Sequence, residues 1–288
     1  MRSWLVIPAM GAASAAAAAG LGARPPEVLV ALGLAGAAMA AAQRALAGDS
    51  PASLAGAALA PLLIVAALLD GAFASAVPVA RGALAVAAAA WTLVELARPT
   101  TSPLVALLPA TIAAFLSPAY VALLLVAGSR LVTAPWQRPR WAIAVPIAAA
   151  LAVVVAAAAC LATHGSLARL ADAWSASPRA PIDAAVFAEH LVLAVGPIAA
   201  VAALCGLPAL ARWRHAEVSA AATALTSLAI SIRAGAIDPS VIGVSALCAG
   251  LAVGRLAGTI RLPTGQAFAG ATIALLVLAA PAWAVLSR

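Results

Sequence analysis

Residues 104–128 read LVALLPATIAAFLSPAYVALLLVAG, a run that contains no charged side chain. A membrane-spanning helix needs about 20 predominantly apolar residues, so this run predicts transmembrane structure. Ser117 and Pro118 lie in its middle, and a proline disfavours helical geometry at the residue before it. The wider segment, residues 99–134, therefore forms either one long kinked helix or two short helices that turn at Ser117-Pro118.

The composition of the whole chain supports the membrane interpretation. Of its 288 residues, 66% are hydrophobic and only 9% are charged, and the mean hydropathy is +1.12. A soluble domain carries about 25% charged residues. So few charged residues cannot cover the surface of a globule of this size. Most of that surface must therefore face the lipid bilayer. The sequence predicts an all-α, polytopic transmembrane helical bundle.

Eleven apolar segments of spanning length divide the chain, or ten if residues 99–134 form one helix. No connection is long enough for a soluble domain, so residues 1–288 form a single integral membrane domain. The longest connection, residues 163–183, contains SLARLADAW, whose spacing fits either an interfacial amphipathic helix or an ordered loop. The segments are 4–22, 27–43, 52–70, 82–97, 99–116, 118–134, 141–162, 184–211, 217–233, 239–256 and 264–286.

The arginines predict the orientation. Short loops rich in basic residues stay in the cytoplasm, and eleven spans place ten of the sixteen basic residues on one side. This favours eleven spans with the N-terminus inside. Lys and Asn, which use AT-rich codons, are absent, which indicates a genome of very high GC content. The membrane is expected to be a bacterial inner membrane. The first segment is either a span or a cleaved secretory signal. The ten arginines are Arg2, Arg44, Arg98, Arg130, Arg138, Arg140, Arg212, Arg214, Arg255 and Arg261.

Several functional classes find no support in the sequence. The net charge is +7, but the arginines are scattered singly and in pairs between apolar runs, so nucleic-acid binding is not expected. There is no G-x-x-x-x-G-K-[ST] loop, no HExxH and no other cluster of metal ligands. The cysteines, Cys160, Cys205 and Cys248, all fall in apolar runs. We therefore expect no metal and no cofactor.

The adjacent pair Glu189-His190 is the first candidate for an ion or ligand pathway. It lies within VFAEHLVLAVGP, and ionisable groups in a spanning helix tend to pair or to face an aqueous cavity. The alternative is that both side chains lie in the first turns at the outer interface and are hydrated. Asp70 is a second candidate, because Asp70 and Arg81 flank one turn and could bracket a ligand or form a surface ion pair.

A hydroxyl stripe is the third candidate. Ser219, Thr223, Ser227 and Ser231 recur every four residues in the ninth segment, which keeps them near one helix face. Such a stripe either lines a polar pathway or forms hydrogen bonds between helices, and the sequence favours helix packing.

Glycines and prolines predict helix contacts and helix breaks. Gly250, Gly254 and Gly258 form two overlapping GxxxG steps, a ridge on which another helix can pack closely, within the bundle or in a second copy or partner. Gly196-Pro197 interrupts the segment that carries Glu189, and broken helices often line the ligand sites of carriers.

Three hypotheses of function follow. The first is a carrier of a small solute or lipid, or another transport component. The second is an intramembrane enzyme that acts on a lipid-linked substrate at the outer face. The short hairpins with arginine-rich inner turns resemble the layout of the later spans of lipid-carrier-dependent glycosyltransferases, but only Glu27 occupies the first outer connection, so no catalytic residue is carried over. The third is a non-catalytic scaffold. The transport hypothesis is preferred, and the sequence leaves enzymatic activity undecided while favouring a non-enzymatic role.

Overall fold

The computed structural model describes residues 5–69, 79–98, 103–133, 183–210, 215–234 and 237–286. Within these ranges the protein is all-helical and has no strand. Short 3-10 turns occupy Pro118–Tyr120 and Leu207–Leu210. The α-helices are α1 (Val6–Gly20), α2 (Pro26–Ala47), α3 (Pro51–Leu69), α4 (Val79–Ala97), α5 (Pro103–Leu116), α6 (Val121–Thr133), α7 (Ala184–Val195), α8 (Pro197–Gly206), α9 (His215–Ala234), α10 (Pro239–Gly258) and α11 (Pro263–Leu286).

Proline determines where many of these helices begin. The first residue of α2, α3, α5, α8, α10 and α11 is a proline. The first turn of a helix has N–H groups without intrahelical partners, so the missing N–H of proline costs nothing there. Asp238 strengthens the start of α10, because its side chain accepts a hydrogen bond from the Ser240 N–H at 2.8 Å.

Four of the described helices, α2, α3, α4 and α10, are long and apolar enough to cross a membrane. A fifth candidate arises if α7 and α8, which bend by 111° at their junction, are counted as one span. Apolar helical stretches of 10–17 residues also occur in α1, α5, α6, α9 and α11. These features are compatible with a membrane protein. The predicted segment 141–162, the connection at 163–182 and Asp70 lie outside the described residues.

Helices α3 and α10 form the centre of the bundle. Helix α3 packs against α1, α2, α10 and α11, and α10 packs against α3, α8, α9 and α11. Apolar surface gains nothing by leaving lipid for protein, so close van der Waals packing must hold such helices together. Glycine permits that packing here: a Cβ at Gly56 would lie 2.2 Å from the Gly250 carbonyl oxygen. The two backbones are in direct contact.

The segment 99–134 is divided into two helices. Ser117 is extended, with φ −150° and ψ 129°, and its side chain accepts a hydrogen bond from the Ala119 N–H. Helix α5 then packs against α6. The proline after Ser117 explains the break, because it disfavours helical geometry at the residue before it.

The junction of α7 and α8 is a second break. Gly196 has φ +85° and ψ 149°, a conformation essentially confined to glycine, and Pro197 begins the next helix. The interruption expected from Gly196-Pro197 is therefore present in the structure.

Candidate functional site

The hydroxyl stripe of α9 faces the interior of the bundle. Ser219, Ser227 and Ser231 have no exposed surface, and Thr223 is 3% exposed. Helix α9 packs against α4, α6 and α10. Its other side is apolar and exposed, since Leu225 is 69% exposed. This polarity is the reverse of that of a surface helix in a soluble protein.

The hydrogen bonds of the stripe are incomplete. Thr223 donates to the Ser219 carbonyl oxygen at 2.7 Å, as helical serine and threonine commonly do. The hydroxyls of Ser219 and Ser227, in contrast, have no hydrogen-bond partner among the described residues. A buried polar group without a partner costs about 1–3 kcal/mol. These two hydroxyls are therefore open to a ligand or to water.

One end of the stripe meets a carboxylate. The Asp238 N–H donates to the Ser231 Oγ at 3.0 Å, and the Ser117 hydroxyl lies 3.3 Å and 3.4 Å from the two Asp238 carboxylate oxygens. Arg81, which is 7% exposed, donates from Nε to the Leu116 carbonyl oxygen at 2.8 Å. The start of α4, the end of α5, the end of α9 and the start of α10 thus meet in one polar cluster.

The middle of the stripe borders a small internal cavity of about 20 Å³. Thr223 and Tyr120 contribute to its wall, together with Met39, Val86 and Leu247. The wall of this cavity is almost entirely apolar, so it offers few partners to a water molecule.

A second carboxylate lies near the other end of α9. Glu217 is 5% exposed and has no ion pair or hydrogen bond with any described residue. It lines a cavity of about 100 Å³. The same cavity is lined by Leu46, Ala47, Ser50, Ser53, Ala209, Leu251, Gly254 and Arg255.

Asp238 and Glu217 therefore lie near opposite ends of α9, but Glu217 precedes Ser219 by two positions, which point about 160° apart on a helix. Glu217 and Ser231 are fourteen positions apart on α9, which corresponds to about 21 Å along the helix axis. The hydroxyl stripe offers oxygen atoms to a small polar solute or ion over most of the thickness of a hydrocarbon core, about 30 Å.

Glu189 and His190 do not belong to this arrangement. Both are exposed on α7, and within the described ranges neither forms a hydrogen bond, forms an ion pair or lines a cavity. Asp70, the third ionisable candidate, lies outside the described residues.

The glycine ridge packs inside the chain. A Cβ at Gly250 would lie 2.3 Å from the Gln43 Nε2 and 2.8 Å from the Gly56 carbonyl oxygen. Gly254 is less tightly packed, with the Ala52 carbonyl oxygen 3.5 Å from such a Cβ, and Gly258 meets the Ala52 Cβ at 3.8 Å. Helix α3 therefore covers this ridge.

Sequence reasoning missed the parts played by Asp238, Ser117 and Glu217. One signal was available: Asp238-Pro239-Ser240 joins a capping residue to a proline at the first helical position, which predicts a buried helix start. No comparable local signal exists for Glu217, because an acidic residue in a first helical turn is common on exposed helices as well.

The oxygen atoms of this site come from hydroxyls and single carboxylates. In the part of the chain that the structure describes, no three His, Cys, Asp or Glu residues converge as metal ligands would. No protein-family model matches the chain, and no curated protein or solved structure gives a significant match.

Proposed function

We propose that this chain is a polytopic membrane transport component in which the hydroxyl stripe of α9 lines the path of a small polar solute or ion. One observation carries the proposal: Ser219 and Ser227 are fully buried and have no described hydrogen-bond partner. A stripe that served only to pack helices would bond to neighbouring backbone or side chains, as Thr226 does to the Ala119 carbonyl oxygen at 2.7 Å.

The proposed arrangement is the eleven-span bundle of a bacterial inner membrane, with the N-terminus in the cytoplasm. The grouping of helix ends supports it. Ser53, Glu217 and Arg255, which the arginine rule assigns to the inner side, line one cavity. Ser117 and Asp238, assigned to the outer side, are in contact.

The carrier mechanism requires the stripe to become hydrated from one end at a time. In the present conformation Ser227 has no exposed surface, as in the occluded step of alternating access. Opening at the Asp238 end exposes the stripe to one side, and opening at the Glu217 end exposes it to the other. Such collective motions take microseconds to milliseconds.

The two other hypotheses gain less support. Asp238 and Glu217 lie near opposite ends of α9, whereas a glycosyltransferase-like enzyme needs acidic groups that converge at an outer cleft. The glycine ridge that a scaffold could present to a partner packs against α3 within the chain.

Cysteine labelling tests the pathway without knowledge of the substrate. In a background with Cys160, Cys205 and Cys248 replaced by alanine, Ser227→Cys is placed in proteoliposomes and treated with a charged, membrane-impermeant thiol reagent. Thiols react as thiolates, which require water, so we expect labelling of Ser227→Cys. The matched control is Leu225→Cys, which is on the same helix and faces outward at 69% exposure, and which lipid should protect.

The outcome separates pathway from packing. Labelling of Ser227→Cys without labelling of Leu225→Cys supports the proposal. A solid bundle predicts no reaction at Ser227→Cys over hours, and that result overturns the proposal.

A further inference from the structure

We infer that the cavity at Glu217 binds a compact monovalent cation, for which Na⁺ is the representative probe. The inference deepens the proposed function by naming the coupling ion and to that extent rests on it. Binding of the cation, however, is measurable in the absence of transport.

Glu217 is a buried carboxylate without a counter-charge among the described residues. Its side chain is 5% exposed, and within the described ranges no cation lies within 4.0 Å of it. Removing a carboxylate from water without a counter-charge costs several kcal/mol. Arg255 lines the same cavity but is exposed and forms no described ion pair with Glu217. A bound cation supplies the missing counter-charge.

The remaining walls of the cavity supply neutral oxygen ligands. Leu46 and Ala47 are in the last turn of α2, where carbonyl groups have no intrahelical partner and the helix dipole is negative. The Ser53 hydroxyl donates its proton to the Ser50 carbonyl oxygen at 2.7 Å, which leaves the lone pairs of its own oxygen available. Unwound carbonyls and helix C-termini coordinate Na⁺ in membrane carriers.

The charge balance favours a monovalent ion. Ca²⁺ and Mg²⁺ sites in proteins generally use several carboxylates or substrate phosphates, whereas Glu217 is the only acidic residue among the described residues that line this cavity. The guanidinium of Arg255 adds a positive charge at the same cavity and disfavours a divalent ion. A volume of about 100 Å³ holds one ion with a few waters.

The position of the cavity connects the ion to the proposed pathway. Ser219, whose buried hydroxyl has no described partner, follows Glu217 by two residues on α9. Positions i and i+2 of a helix point about 160° apart, and no residue of the stripe lines the cavity, so α9 itself is what links a cation bound at Glu217 to the stripe.

Thermal unfolding of the full chain in detergent tests the site. We compare NaCl, KCl and choline chloride at equal ionic strength, because the methyl groups of choline keep its charge away from coordinating oxygen atoms. At a Na⁺ concentration ten times Kd, ligand linkage predicts a rise in Tm of about 2–4 °C over choline. A rise in Na⁺, in K⁺ or in both supports a monovalent cation site.

The variants assign the effect to Glu217. Glu217→Gln should abolish the rise, and Glu217→Asp should keep it with a higher half-saturating concentration. The matched control is Glu27→Gln, which neutralises an exposed carboxylate in the first turn of α2 and should leave the rise unchanged. Equal Tm values in all three salts for the unmodified chain, or a Na⁺ effect that persists in Glu217→Gln, would overturn the inference. If Glu217→Gln does not fold, Glu217→Asp replaces it in the test. An unchanged half-saturating concentration for Glu217→Asp would then overturn the inference.

The two proposals fail separately. A Na⁺-dependent Tm with no labelling of Ser227→Cys retains the cation site and removes the pathway. Labelling of Ser227→Cys without any salt dependence of Tm retains the pathway and removes the cation site.

Discussion

Replacing Gly250 by alanine adds one methyl group at a tight contact between α10, α2 and α3. The new Cβ would lie 2.8 Å from the Gly56 carbonyl oxygen and 2.3 Å from the Gln43 Nε2. Gln43 can rotate away, but it then loses its hydrogen bond to the Leu247 carbonyl oxygen. The Gly56 oxygen belongs to backbone, so α3 and α10 must move apart.

The expected loss of stability is a sum of three effects. Overpacking in a core costs about 1–3 kcal/mol, and the lost hydrogen bond costs about 0.5–1.5 kcal/mol. The higher helix propensity of alanine returns at most about 1 kcal/mol. Gly250→Ala should therefore lower the free energy of unfolding by about 0.5–4.5 kcal/mol, and the middle of that range, about 2.5 kcal/mol, corresponds to a Tm lower by about 5–10 °C.

The assay is the loss of the monodisperse size-exclusion peak after heating in detergent. Unfolding of such a protein is irreversible, so apparent midpoints are compared at one heating rate. Gly254→Ala is the matched control on the same ridge, because its nearest neighbour, at 3.5 Å, is in ordinary contact. Equal midpoints for the two variants, or a more stable Gly250→Ala, would refute the packing described here.

Further variants test the helix break and the exposed pair. Gly196→Ala should lower the free energy of unfolding by about 1–3 kcal/mol, measured by the same heating assay, because φ of +85° strains any residue with a Cβ. Glu189→Gln and His190→Ala should change it by less than about 0.5 kcal/mol, since both residues are exposed and have no described partner. A loss of more than 2 kcal/mol in either would show that the pair has a structural partner.

Periodicity and composition predicted much of the fold. The apolar segments correspond to helices wherever the structure describes them, because lipid requires every backbone hydrogen bond to be made within a helix. The four-residue spacing of Ser219, Thr223 and Ser227 predicted a common face, and that face is buried. The turns at Ser117 and Gly196 were also predictable, since each precedes a proline.

The composition of the site was less predictable. Residues as distant as Ser117 and Asp238 meet only through packing, which no local pattern encodes. The three ridge glycines are equivalent in the GxxxG pattern, yet only Gly250 is in tight contact, because α3 approaches α10 most closely there. Glu189 was a candidate because it is an ionisable residue in an apolar run. In the structure, however, the chain bends by 111° after it, so α7 and α8 run in different directions.

The most direct test of the pathway is the labelling of Ser227→Cys from each side of the membrane in turn. The charged reagent is either trapped inside the vesicles or added outside, and vesicles with one orientation of the protein are used. A solute path along α9 predicts that Ser227→Cys reacts from both sides while Leu225→Cys reacts from neither. Reaction from one side only, or from neither, would contradict alternating access along the hydroxyl stripe.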